Sequence, residues 1–425
     1  MVALVALLAG LVVLVLVTTP WSPWARTSAL LPTSTAPLTE DFDKTEIASS
    51  VAFQQLIGAP AYLTGAAGVV ISAWLGLTRT GARIAGGLLP RVRRWWLRVV
   101  LGTFAVTLAI RILVLPFDLW LEIVRRDSGV STQSFAGWAG DTAIAAAVTF
   151  VVTAALMVGM LALVRKFPRW WWALGSAIGA GMVVAGSFVY PVLVEPLYNH
   201  FTPMPPGQLR SALLDLAARD HVPVNDVLVA DESRRTTRLN AYVSGFGSTR
   251  RIVVYDTLLA DATPDQVRLI VAHELGHAKH NDVLRGTVVG AVGVASGMVA
   301  LALLLDSARL RRRAGVRSAA DPRVVALVLA LTAIGMQATL PLQNAISRRI
   351  EASADVHALD LTRDPRGYAE VQRWLAVSNR SDLTPAPVLY VFYATHPTAP
   401  ERIALIRSWS RRQGLPAVPA MATTE

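Results

Sequence analysis

The 425-residue chain is 53% hydrophobic and 16% charged, with a mean hydropathy of +0.46, too apolar for a water-soluble globule of this length, so a membrane protein is expected. Cysteine is absent, which excludes disulfides, thiolate metal sites and cysteine nucleophiles and leaves His and carboxylates as metal donors. The formal charge of +11 comes mostly from Arg in short runs beside apolar segments, such as Arg91, Arg93 and Arg94; that placement is a topology signal and a lipid headgroup contact, and no nucleic-acid partner is expected.

Seven apolar stretches approach the roughly 20 residues that a membrane-spanning helix requires: 2–17, 56–77, 99–115, 143–164, 171–194, 286–305 and 324–342. Residues 2–17 also resemble the apolar region of a signal peptide, but they lack a cationic start and six more spans follow, so they are counted as a span. The Gly- and Ala-rich run 175–186 suits close packing of helices in lipid. Arg111 interrupts the third span, with Asp118 and Glu122 on roughly the same helical face. Two readings follow: a hydrated chamber among the helices, or an Arg that snorkels from a span ending near Pro116.

Two segments of mixed charge, 200–285 and 345–425, break the apolar pattern and read as halves of one water-facing domain. The chain therefore divides into a five-span membrane domain (1–199), a first catalytic half (200–285), two further spans (286–344) and a second catalytic half with a loose tail (345–425). In the first half, 209–218 reads as a helix and 227–229, 239–243 and 251–255 as short strands. The next helix starts at Thr263-Pro264-Asp265-Gln266, where Thr263 caps, Pro264 suits the first helical position and Gln266 completes a capping box; it runs through His280.

On that helix lies His273-Glu274-Leu275-Gly276-His277. Residues four apart share a helix face, so both imidazoles can bind one Zn2+ while Glu274 projects beside the metal's open position. Zinc lowers the pKa of water toward ~7 and polarises a carbonyl, and a neighbouring carboxylate takes the proton and passes it to the leaving amine. Two of the chain's seven histidines fall on the required face of a helix that has its own start signal and an apolar opposite face of Val267, Ile270 and Val271. A third ligand is expected from a facing helix. In Ser347-Arg348-Arg349-Ile350-Glu351-Ala352-Ser353-Ala354-Asp355, Glu351 can bind metal and Asp355, one turn on, can accept from a ligand imidazole. Small Ala352, Ser353 and Ala354 let two helices approach closely. Spacing alone leaves open that Glu351 is a solvated surface acid.

These two motifs, together with Asn240-Ala241-Tyr242-Val243-Ser244-Gly245 before Arg250-Arg251-Ile252-Val253-Val254 and Thr395-His396-Pro397 before Glu401-Arg402-Ile403, resemble the type 1 CAAX prenyl protease family, strongly over 200–410 and by span pattern before that. The resemblance implies seven membrane helices around a hydrated chamber, capped by a zinc site with Glu351 as third ligand and Asp355 beside it. It also implies an edge strand over 239–245 on which an extended substrate lies, with Asn240 and Ala241 offering hydrogen bonds, and a late histidine, His396, that donates to the oxyanion. His280 is assigned to the surroundings of the site or to the surface; His200, His221 and His357 receive no role.

The expected fold is mainly α in the membrane with a small sheet in a zincin-like α+β catalytic domain. The expected activity is zinc endoproteolysis of extended peptides or membrane-associated protein tails, with one zinc per chain. The resemblance points to prenylated tails. Only 3 of the 40 basic residues are Lys, a mark of GC-rich coding that points to a bacterium and so to general quality control of membrane proteins. A catalytically dead scaffold and a transporter with a regulatory domain are the rival classes. The positive connections (Arg79, Arg83, Arg91, Arg93, Arg94; Arg165, Lys166, Arg169; Arg309, Arg311, Arg312, Arg313, Arg317) all fall on one side of a seven-span cell-membrane protein. The other side holds Glu40, Asp41, Asp43 and Glu46 against Arg26 and Lys44, and both catalytic halves, so the zinc site is expected outside the cytoplasm. Eukaryotic members of the family face the cytosol.

Overall fold

The computed structural model describes residues 1–23, 36–87, 92–245 and 247–422; Arg26 and Arg91, counted above among the loop charges, lie outside them. Six helices come first: α1 (Val2–Thr18), α2 (Lys44–Leu77), α3 (Arg79–Gly87), α4 (Trp95–Asp127), α5 (Phe135–Lys166) and α6 (Trp171–Val189). A mixed region follows, with β1 (Phe201–Pro203), α7 (Gln208–Arg219), β2 (Asp226–Ala230), β3 (Ala241–Ser244), β4 (Arg251–Tyr255), α8 (Asp256–Asp261) and α9 (Pro264–His280). Then come α10 (Asp282–Asp306), α11 (Ala308–Ala314), α12 (Val325–Thr362), α13 (Pro365–Ser378), α14 (Pro387–Tyr393) and α15 (Ala399–Arg412).

Among the described residues, α2, α4, α5, α6, α10 and the segment Pro322–Thr362 that contains α12 are long and apolar enough to cross a membrane, six against the seven apolar stretches expected. The remaining stretch is α1, an apolar helix of 17 residues packed against α10. At 1.5 Å per residue it reaches about 25 Å, at the lower limit for a span. The membrane helices outrun their apolar cores. α2 begins at Lys44 under a capping box of Asp43 and Glu46, and Arg373 of α13 donates to Glu46 at 2.7 Å, so its polar first turns belong to the catalytic side. α4 continues through Pro116 to Asp127, which brings Arg111 Nη1 within 2.7 Å of Asp118 two turns on. The helix therefore does not end near Pro116, and Arg111 finds its partner on its own helix.

α12 has the largest consequence for function. It is one helix of 38 residues that leaves the bilayer and enters the catalytic region without a break, so the expected boundary between 344 and 345 falls inside a continuous element. Its first half is buried among α2, α3 and α4, and its second half packs on α9.

The sheet has strand order β1-β2-β4-β3, with β2 and β4 parallel and the outer pairs antiparallel. β3 is thus an edge strand, as expected. It begins at Ala241 because Asn379 takes both backbone groups of Leu239: Leu239 N–H donates to Asn379 Oδ1 at 2.9 Å and Asn379 Nδ2 donates to Leu239 O at 3.2 Å. β1 escaped the sequence reading because three residues ending in Pro carry no alternation. Ile252 and Val254 of the sheet, Val267, Val271 and Leu275 of α9, Leu359 of α12, Tyr368 of α13 and Trp409 of α15 form one core that fixes the site from behind.

Candidate active site

α9 starts where its capping box places it: Gln266 N donates to Thr263 Oγ1 at 3.3 Å and Thr263 N to Gln266 Oε1 at 2.8 Å. It ends at Asn281, whose left-handed backbone (φ 54°) stops the helix. Val267, Val271 and Leu275 face the core, which turns His273 and His277 toward α12. Gly276 makes that approach possible. A Cβ on it would sit 3.1 Å from His357 Cβ and 3.2 Å from Ala354 Cα, so the helices meet at backbone distance. Ala352 and Ala354 are fully buried at this contact, the role expected for the small residues of this stretch.

The close approach brings Glu351 to the histidines. His273 Nε2 lies 3.1 Å from Glu351 Oε2 and 3.2 Å from His277 Nε2, and His277 Nε2 lies 3.6 Å from Glu351 Oε1. One donor atom from each of the three residues falls within 4.8 Å of the others, so His273, His277 and Glu351 could hold a metal ion. The outward nitrogens are anchored by carboxylates: His273 Nδ1 is 3.0 Å from Asp355 Oδ1, and His277 Nδ1 is 3.0 Å from Asp282 Oδ2. A proton held on each Nδ1 leaves each Nε2 lone pair facing the common centre, as ligation requires.

The donor chemistry fits a divalent cation. Burial opposes a charge on His273, but hydrogen bonds to Asp355 and Glu351 overcome it and push its pKa up to about 10. A field that favours a proton this strongly favours a metal cation at the same place. Burial also pushes the Glu274 carboxyl above its ordinary value, against the pull of both histidines.

Three residues without an assigned role complete the site. Asp355 is fully buried and receives Arg402 Nε at 2.8 Å, a second contact from the same guanidinium, and the Tyr368 hydroxyl at 2.6 Å. The Tyr368 hydroxyl also reaches His273 Nδ1 at 3.2 Å, and burial beside Asp355 keeps it protonated far above the usual tyrosine range. A buried carboxylate requires a cation, and that need was the available signal for Arg402, whose helix opens with a Thr398–Glu401 capping box. Asp282 could be found by asking which acid fixes the second imidazole, since it follows His277 by five residues, just past the end of α9.

His396 Nε2 lies 3.3 Å from Glu351 Oε2, so the late histidine does reach the site, on a loop where 57% of its side chain is exposed. The loop is pinned from α12, one turn before Glu351: Arg348 Nη1 donates to Ala394 O at 2.6 Å and to Tyr390 O at 3.1 Å, while Asn344 Nδ2 donates to Phe392 O at 2.6 Å. Glu401 accepts from the Tyr390 hydroxyl at 2.8 Å and from Thr398 N at 2.7 Å.

Beside β3, Tyr255 N donates to Asn240 O at 3.1 Å, and strand alternation then turns the backbone of Tyr242 toward β4 and that of Ala241 and Val243 away from it. The Asn240 carbonyl is spent on Tyr255, so of the two residues expected to meet substrate, Ala241 is the one whose backbone points away from β4, at a buried position of the strand. His280 packs edge-on against His357, ring centres 5.2 Å apart, and His357 Nε2 bonds Asp220 Oδ2 at 2.9 Å, a surrounding position for His280.

The sequence profile of peptidase family M48 matches residues 203–410, and a profile described as CAAX prenyl protease N-terminal, five membrane helices, matches residues 61–200. The chain belongs to peptidase family M48. Among its relatives, an uncharacterized metalloprotease, YhfN of Bacillus subtilis, is 28% identical over 335 residues, 75% of this chain and 78% of that one. A CAAX prenyl protease 1 homolog of Arabidopsis thaliana is 27% identical over 345 residues, 76% of this chain and 78% of its own length. The crystal structure of S. mikatae Ste24p superposes with a TM-score of 0.78 at 18% identity, covering 94% of this chain and 97% of that chain, which establishes the fold. This M48 protein is a multi-pass membrane metalloprotease, as its sequence leads one to expect.

Proposed function

We propose that this M48 protein is a zinc endopeptidase that binds one Zn2+ through His273, His277 and Glu351. The observation that carries the reading is the convergence of two Nε2 atoms and a carboxylate, each imidazole oriented from behind by its own carboxylate. Bound zinc would acidify a water and polarise the scissile carbonyl. Glu274 takes the proton and returns it to the leaving amine, a task suited to a carboxyl raised by burial. His396 donates a hydrogen bond to the carbonyl oxygen as charge develops there. An extended peptide adds to the open side of β3, paired with the backbone of Ala241 and Val243 and bordered by Asn240.

The substrate class proposed is the extended tail of a membrane-associated protein. Several relatives bear the name CAAX prenyl protease, which favours a prenylated tail over general quality control. The catalytic face is proposed to lie outside the cytoplasm, because the basic connections gather at the opposite end of the helices. A reporter fused after Glu425 should then be active only outside; a cytoplasmic signal would overturn the orientation.

Glu274→Gln tests the chemistry. It should retain zinc at one per chain and lose at least about 10³-fold in turnover; turnover near wild type would overturn the mechanism. Peptides that accumulate in membranes bearing this variant, compared with wild type, should carry the substrate's C-terminal tail, prenylated if the relatives' names extend to this chain.

A further inference from the structure

The end of the bundle away from the catalytic region concentrates cations without counter-charge. α3 exposes Arg79 and Arg83, one turn apart, and buries Gly81, Ala82 and Ala85. α11 exposes Arg312 and Arg313 in its last turn and buries Ala314. The two helices touch: Gly315, left-handed at φ +73°, closes α11 so tightly on α3 that a Cβ there would lie 3.2 Å from Arg79 Cγ. Among the described residues no carboxylate pairs with any of these four arginines. Of the nearest acids in sequence, Asp306 forms no ion pair among the described residues and Asp321 is held by Arg323 at 2.7 Å.

Like charges a turn apart repel, so something must hold them together. Packing does. A Cβ on Gly76 would collide with Ala326 O and one on Gly81 with Ala326 Cβ, so α2, α3 and α12 meet at backbone distance. The arginine cluster is therefore built into the helix packing, and its unbalanced charge calls for an anion.

Depth identifies the anion. Trp74 and Trp96, 51% and 41% exposed, flank α3, and Trp95 carries Arg165 over its ring at 5.0 Å. Tryptophans at this density mark the boundary between hydrocarbon and headgroups. Guanidinium groups just beyond that boundary meet lipid phosphates, which they bind bidentately.

We propose that Arg79, Arg83, Arg312 and Arg313 form a binding site for the headgroup of an anionic phospholipid, seated between α3 and α11. The site lies outside the catalytic machinery and does not depend on its chemistry.

The test uses the full chain in neutral detergent, titrated with phosphatidylglycerol and with phosphatidylcholine of the same acyl chains and read by native mass spectrometry and thermal unfolding. Wild type should bind phosphatidylglycerol at least about tenfold more tightly than phosphatidylcholine and unfold at a higher temperature in its presence. The combined Arg79→Gln, Arg83→Gln, Arg312→Gln, Arg313→Gln variant should lose both effects. A control with Arg93, Arg94, Arg165 and Arg169 changed to Gln should keep them. Should the fourfold variant not fold, the Arg79/Arg83 and Arg312/Arg313 pairs are changed separately, and each should lose part of the preference. Equal binding of the two lipids by wild type, or equal loss in the control, would overturn the proposal. Displacement of the lipid by millimolar inorganic phosphate would make it a free-anion site and overturn the lipid assignment.

Discussion

Two regions supply the candidate active site, and they are built by opposite means. His273, His277 and Glu351 stand on α9 and α12, two long helices in backbone contact at Gly276 and Ala354, with Asp355, Asp282, Tyr368 and Arg402 fixing the side chains from behind. His396 stands on a short loop, exposed, and its place is set by hydrogen bonds from Arg348 and Asn344 to the carbonyls of residues 390–394. A metal site needs donors that do not move, and helix packing gives that. A group that acts only while charge develops can sit on a lighter mount, provided the mount is tied to the same helix as the metal ligand. Arg348 and Glu351, three residues apart on α12, make that tie.

Substitutions on the two sides should separate them. The largest effect is expected from Glu351→Ala, which should abolish both bound metal and turnover. Metal at full occupancy by elemental analysis would mean that the third ligand lies elsewhere, with Asp355 the next candidate. His396→Ala should lower kcat by ~100-fold with metal content and KM nearly unchanged, because its hydrogen bond forms in the transition state; a change confined to KM would make it a binding residue.

Gly276→Ala probes the helix contact itself. The added methyl meets Ala354 and His357 at 3.1 to 3.2 Å, so the variant should lose about 1–3 kcal/mol of stability and bind metal more weakly. An unchanged melting curve would show that α9 and α12 have slack. Arg348→Gln is expected to have the smallest effect, ~10-fold on kcat, and none in the His396→Ala background, since it acts through His396. Additive losses in the double variant would break the proposed tie between the loop and α12.

Much of this protein is legible in its sequence because the signals are local. The apolar stretches mark the membrane helices, a capping box marks the start of α9, and the spacing of His273 and His277 puts two donors on one face whatever surrounds them. Glu351 and Asp355 could be proposed from a second helix because residues one turn apart share a face. The helix ends were not legible, since hydropathy reports only the part of a helix that lies in lipid: the polar turns of α2 from Lys44 and the run of α12 through Pro341 are held by contacts with the catalytic region.

What only the tertiary structure decided is which residues meet across the chain. Arg402, Tyr368 and Asp282 are ordinary letters on their own elements. They become parts of the site because a buried Asp355 needs a cation and a hydroxyl, and because each imidazole needs an acceptor behind it. Likewise, the division of the β3 edge between Asn240, spent on Tyr255, and Ala241, whose backbone points away from β4, follows from the pairing of β3 with β4, and the side chains of that segment carry no record of it. Local patterns fix the identity and face of a residue, whereas satisfaction of buried charge and of backbone edges is settled by partners tens of residues away, such as Asp355 with Arg402 or His273 with Tyr368.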